Sequence, residues 1–100
     1  MKILTTIYLG LEDSQFKKQI VKTSDAIEFI QRTFDACTIS KCVGSYQYND
    51  GDFASEVTLK IELLDVSMDL VIATVKLLKD VFNQESVLVT NQVLDEARFI

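Results

Sequence analysis

The sequence predicts a ferredoxin-like α+β fold of the order βαββαβ, a four-stranded antiparallel sheet with two helices on one face. Three observations lead there. Residues 66–94 read as a helix, a short polar break and a strand. Asp50-Gly51 interrupts two β-rich runs and is strong hairpin chemistry, because glycine and aspartate tolerate positive φ. Finally, an opening β-rich run is followed, after a connection, by a capped amphipathic helix. Right-handed crossovers through such an order place the four strands as 4-1-3-2.

The first strand, residues 2–10, sets Ile3, Thr5, Ile7 and Leu9 on one face and Leu4, Thr6 and Tyr8 on the other, an apolar mix that suits a central position. Residues 11–23 make a connection of more than median length that can form a flap or an extra strand; it carries Lys17, Lys18 and Lys22. Thr23 or Ser24 is placed to cap a helix over residues 25–37, with Ile27, Ile30, Phe34 and Cys37 on its inner stripe. The second strand covers residues 41–48 and the third 53–64. The third alternates Val57, Leu59, Ile61 and Leu63 with Glu56, Thr58, Lys60 and Glu62, so one face packs and the other meets water. A two-residue Asp50-Gly51 loop would set Tyr48 opposite Phe53 and Gly44 opposite Val57, leaving a gap on the packed face. The second helix, residues 68–82, is capped by Ser67, and Val71, Val75, Leu78 and Phe82 line its inner stripe. Asn83 suits the reversal of hand at its end, and the fourth strand covers residues 86–94.

With 100 residues the chain is the size of one domain, residues 1–100, able to bury a core without staples. Hydrophobic residues make up 48%, and with no proline and only three glycines disorder is not expected. No apolar run approaches a membrane span and the start lacks a signal-peptide pattern, so a cytoplasmic location and no membrane partner are expected. The net charge of −5 argues against nucleic acid as partner. Cys37 and Cys42 match no zinc or redox spacing and read as free thiols; without histidine a metal site would need carboxylates alone, so neither metal nor cofactor is expected.

Three pieces, Ile7-Tyr8-Leu9-Gly10, Leu59-Lys60-Ile61-Glu62-Leu63-Leu64 and Phe82-Asn83-Gln84-Glu85-Ser86-Val87, resemble a group of small uncharacterised proteins of Gram-positive bacteria and their phages or mobile elements. The resemblance spans most of the chain and implies a small α/β domain of mobile-element origin. It carries no catalytic residue.

Histidine, a phosphate-cradling glycine loop and a nucleophile elbow are all missing, which removes the simplest route for most enzyme classes. The best polar constellation sets Gln84, Glu85 and Ser86 beside Tyr46 and Tyr48, so Tyr46, Tyr48 and Glu85 are the candidate ligand-binding residues; the plainer reading is a turn beside cross-strand aromatic packing. Leu70, Leu77 and Val81 widen the apolar arc of the second helix beyond what a core needs and are the candidate interface between copies. Two functions from different classes follow. One is a non-catalytic interaction or ligand-sequestering module, homo-oligomeric. The alternative is a small-molecule-binding or isomerase-like enzyme on a dimeric ferredoxin-like scaffold, with its pocket between sheet and helices.

Overall fold

The computed structural model describes residues 1–100 and places β1 (Lys2–Gly10), β2 (Glu12–Asp13), β3 (Lys18–Gln19), α1 (Thr23–Thr33), β4 (Thr38–Gln47), β5 (Phe53–Leu64), α2 (Met68–Val81) and β6 (Leu88–Leu94) in chain order. The main sheet runs β4-β5-β1-β6 with every neighbour antiparallel, which is the expected ferredoxin-like arrangement. The long connection is neither an open flap nor a single strand. It folds on itself as the β2–β3 hairpin, pairing Glu12 with Gln19 and Asp13 with Lys18.

Strand alternation decides which face the helices cover. Ile7 and Leu9 of β1 and Leu59, Ile61 and Leu63 of β5 point to one side, where they meet Ala26 and Ile30 of α1, Val71 and Leu78 of α2, and Phe82 just beyond it. All of these lie within the buried core, as the periodicity of both helices and of β5 predicts. The other face of the sheet has no helix over it.

Four local expectations are corrected. α1 ends at Thr33, not near residue 37. Phe34 turns extended (φ −112°, ψ 129°) and drives its ring into the core, and Thr38 then finds a ladder partner in Glu62 because β5 is twelve residues long. β-branched residues facing an open ladder prefer the strand. Neither helix is capped by a side chain: Ser67 holds the N-cap position of α2 without a cap hydrogen bond, and the N-cap of α1 is Lys22. Thr23 instead accepts a hydrogen bond from Gln19 Nε2 at 2.9 Å. The β4–β5 loop has three residues rather than two. Gly51 N donates to Tyr48 O at 3.0 Å with Gly51 at φ 96°, and Tyr48 N donates to Asp52 O at 2.7 Å, a tight turn followed by a glycine bulge. That one extra residue slips the register, so Gln47 pairs with Phe53, and Gly44 lies opposite Glu56 instead of Val57. A slip of one residue changes which face a cross-strand pair shares, and Gly44 therefore opens space on the uncovered face.

Asn83 takes the left-handed position after α2 (φ 48°), as expected of asparagine there. The shoulder of α2 is uncovered by the chain itself: Leu70, Leu77 and Val81 are 45%, 50% and 51% exposed. No helix is long and apolar enough to cross a membrane.

Candidate functional site

On the uncovered face of the sheet, at the end where Gly10, Tyr46 and Gln84 come together, lies a cavity of about 450 Å³, within the size range of small-molecule sites. This position corrects the expectation of a pocket between sheet and helices. Its floor follows from glycine. Gly44 pairs with Glu56 and Gly10 with Thr58, so two neighbouring positions on the face carry no side chain. A Cβ on Gly10 would run into the Glu56 carboxylate, and one on Gly44 into the Thr58 hydroxyl. Tyr8, Tyr46, Ser86 and Leu88 form much of the surrounding wall.

Glu56 is the central polar group. Only 8% exposed, it accepts a hydrogen bond from the Glu12 backbone N–H at 2.6 Å. Burial pushes its carboxyl above the usual glutamate range, and the nearby Glu12 charge adds to that, opposed by the Glu12 N–H and the Gln84 amide. Gln84, itself buried, donates from Nε2 to the Glu12 carbonyl at 2.6 Å and so ties the hairpin to the segment after α2. The β2–β3 hairpin is thus anchored, through Glu12, to two residues of the cavity wall.

Of the three predicted ligand-binding residues, only Tyr46 lines the cavity. Tyr48 stands behind it, ring edge against ring face with centroids 5.0 Å apart and planes at 65°. This is packing along one strand, not across two, and Phe53 is 78% exposed. Burial raises the pKa of both phenols. Neighbouring acids add to the shift at Tyr46, and the Tyr46 and Glu12 side chains add to it at Tyr48. Both hydroxyls are buried without a hydrogen-bond partner, and so is Glu12 Oε2. Glu85 lies off the cavity wall and accepts from the Asn49 backbone N–H at 3.2 Å, holding the β4–β5 turn.

Sequence reasoning missed Glu56 and Glu12. Alternation along β5 assigned Glu56 to the solvent face, and the face is right, but the hairpin and the cavity edge bury it. The available signal was the pair Gly10 and Gly44 flanking one acid once the register is correct. Of the two free thiols, Cys42 is exposed and lines the cavity, whereas Cys37 packs against the core, where burial raises its thiol pKa. The lining residues include no lysine, arginine or histidine. Such a wall of acid and phenol suits a cation rather than an anion.

Among solved structures that share this fold are two phage enzymes. A phage SAM lyase in complex with S-methyl-5'-thioadenosine superposes with a TM-score of 0.75 at 21% identity, covering 91% of this chain and 80% of that one. A phage SAM lyase in the apo state gives 0.61 at 24% identity, covering 90% and 78%. No curated protein sequence matches the chain. The model of the S-adenosylmethionine lyase family matches residues 11–100. A family defined by an enzymatic activity overturns the expectation of a non-catalytic interaction or ligand-sequestering module and favours the alternative, a small-molecule enzyme on this scaffold. From the hairpin through β6, then, the match covers every element that builds the cavity except β1, and the chain belongs to the S-adenosylmethionine lyase family.

Proposed function

We propose that the chain cleaves S-adenosylmethionine on the uncovered sheet face, with Glu56 and Tyr46 as the residues that hold the substrate. The observation that carries the reading is the cavity wall itself: a buried carboxylate and phenol rings with no cationic side chain among them, in a chain of this family. The substrate is a sulfonium cation. Aromatic faces attract such a cation, and Glu56 supplies a counter-charge.

The chemistry asks little of the protein, which accounts for the missing histidine. A sulfonium leaves as a neutral thioether, so no acid need protonate the leaving group. In the reaction we propose, the substrate's own carboxylate oxygen forms a bond to Cγ while the Cγ–S bond breaks and its electron pair stays on sulfur. The products are S-methyl-5'-thioadenosine and homoserine lactone; no water or proton is consumed. S-methyl-5'-thioadenosine is the molecule bound in one of the similar phage enzymes. Opposite charges are annihilated in this step, so a water-poor cavity favours it, and holding the carboxylate near Cγ supplies the rest.

Exposure of Leu70, Leu77 and Val81 supports the further reading that copies associate through the α2 shoulder. The phage source of the similar structures supports a phage or mobile-element origin, and the sequence resemblance extends it to Gram-positive hosts. Incubating the purified chain with S-adenosylmethionine and following products by mass spectrometry tests the lyase reading. S-methyl-5'-thioadenosine and homoserine lactone should appear together. Intact substrate after incubation with folded protein overturns it.

A further inference from the structure

We propose that Lys17, which lies outside the cavity, is a positioning residue for it: Lys17 fixes the Tyr48 ring, and Tyr48 in turn sets the Tyr46 phenol on the cavity wall. Readout by activity rests on the lyase reading; the geometric argument does not.

Lys17 adopts a left-handed backbone conformation, φ 59°, which non-glycine residues avoid. Such an outlier persists where its surroundings over-determine it, and Lys17 is held from three sides. Its Nζ donates to Asp50 Oδ2 at 2.7 Å and to Asp52 Oδ2 at 2.8 Å, and it stands 4.5 Å from the centroid of the Tyr48 ring. Both aspartates belong to the β4–β5 turn, whose own bonds run from Tyr48 N to Asp52 O and from Asp52 N to Asp50 Oδ1. One ammonium therefore clamps the turn and the aromatic ring beside it. The two aspartates raise the lysine's pKa and keep it charged.

Tyr48 depends on this clamp. It is 3% exposed, and its buried hydroxyl lies beside the Tyr46 and Glu12 side chains without a well-formed hydrogen bond to either, so the polar tip holds the ring less firmly than the contacts on its face and edge. Its fixed neighbours are the Lys17 ammonium over the ring and the Tyr46 ring against its edge. Tyr46 faces the cavity, so any tilt of Tyr48 reaches the substrate one ring later.

The hairpin that carries Lys17 is tied down without it. Ser14 N donates to Asn83 O, Asn83 Nδ2 donates to Asp13 Oδ1, Glu12 N donates to Glu56, and Gln84 donates to Glu12 O. Removing the ammonium should accordingly release Tyr48 and leave the hairpin seated. That separates a positioning role from a structural one.

Lys17→Met keeps the aliphatic stem and removes the charge; Lys17→Arg restores a cation that can reach both aspartates and the ring. The chain has three tyrosines, and ring-labelled Tyr8, Tyr46 and Tyr48 can be followed by NMR. In Lys17→Met the Tyr48 and Tyr46 signals should move while Tyr8, on β1, stays. One molar salt, where the Debye length is about 3 Å, should move the wild-type signals the same way and leave the variant unchanged. With S-adenosylmethionine, kcat/KM should fall on the order of tenfold, as for small misplacements of a contact group, and return in Lys17→Arg. A folded Lys17→Met with an unmoved Tyr46 signal, or with wild-type kcat/KM, overturns the proposal. If Lys17→Met does not fold, Asp50→Asn with Asp52→Asn removes the two negative charges that hold the ammonium over the Tyr48 ring and is read by the same criteria. Should wild type leave S-adenosylmethionine intact, the lyase reading fails, and the Tyr46 signal alone decides the role of Lys17.

Discussion

Gly10→Ala tests the architecture of the cavity most directly, because the same substitution has opposite signs depending on whether Glu56 lies where we describe it. In an ordinary strand position, replacing glycine by alanine stabilises by about 0.5–1 kcal/mol through the unfolded chain. At Gly10 the new methyl would meet Glu56 Cδ at 2.5 Å and Oε2 at 2.8 Å. Either the carboxylate stays and the site is overpacked, at about 1–3 kcal/mol, or it swings away and loses the 2.6 Å bond from Glu12 N. A hydrogen bond to a charged group contributes about 1.5–3 kcal/mol. After subtracting the glycine gain, the net loss is about 1–2 kcal/mol, which for a chain of this size lowers Tm by roughly 4–10 °C. Urea and thermal melts measure it. In a Glu56→Ala background the obstruction is gone, so Gly10→Ala should become neutral or stabilising. A higher Tm for Gly10→Ala in the wild-type background would refute the placement of Glu56.

Glu56→Gln separates stability from binding. A carboxyl whose folded pKa is raised above its ordinary value of 4.5 stabilises the fold less as pH rises through that interval, since burial opposes the charge. The amide lacks this penalty and should match or exceed wild type in thermal melts at pH 7.5, with no advantage at pH 4. Cleavage should fall by tenfold or more if the ionised form holds the sulfonium, and wild-type activity should decline on acidification at a higher pH than an ordinary glutamate would dictate. Leu59→Ala empties a fully buried site and should cost about 2–5 kcal/mol in urea melts; Glu62→Ala, on the uncovered face, should stay within about 0.5 kcal/mol. Light scattering of Leu77→Glu should show a smaller assembly with the fold intact, given that Leu77 is half exposed; a monomeric wild type at high micromolar concentration would remove the shoulder as an interface.

The fold could be read from the sequence because local and global signals agree. Val71, Val75, Leu78 and Phe82 repeat at helical spacing and reach the core, and β5 alternates and packs by alternation. The site could not be read so directly, and the reason is register. A single glycine bulge at Gly51 shifts β4 by one residue, and that shift moves Gly44 from the packed face to the open one and sets it against Glu56. Periodicity is blind to such a slip. Burial of Glu56 also depends on Glu12, a residue distant in sequence, whose approach follows from the hairpin and from Gln84 rather than from any spacing. Tyr46 and Tyr48 were legible as an aromatic pair; that one meets the cavity and the other supports it is a property of the strand end and of Lys17.

The pairing of β1 with β6 has a consequence for how the protein is made. Lys2 pairs with Leu94 and Tyr8 with Leu88, so β1 leaves the ribosome some eighty residues before the strand that closes its edge. Its other neighbour, β5, also comes only after α1 and β4. During that interval Ile3–Gly10, an uncharged β-prone run, is a bare template for pairing with other nascent chains. Contacts this distant in sequence also slow folding, because the loops between them must close first. Substitutions that weaken β6 should therefore lower the soluble fraction on expression before they lower the melting temperature of molecules already folded.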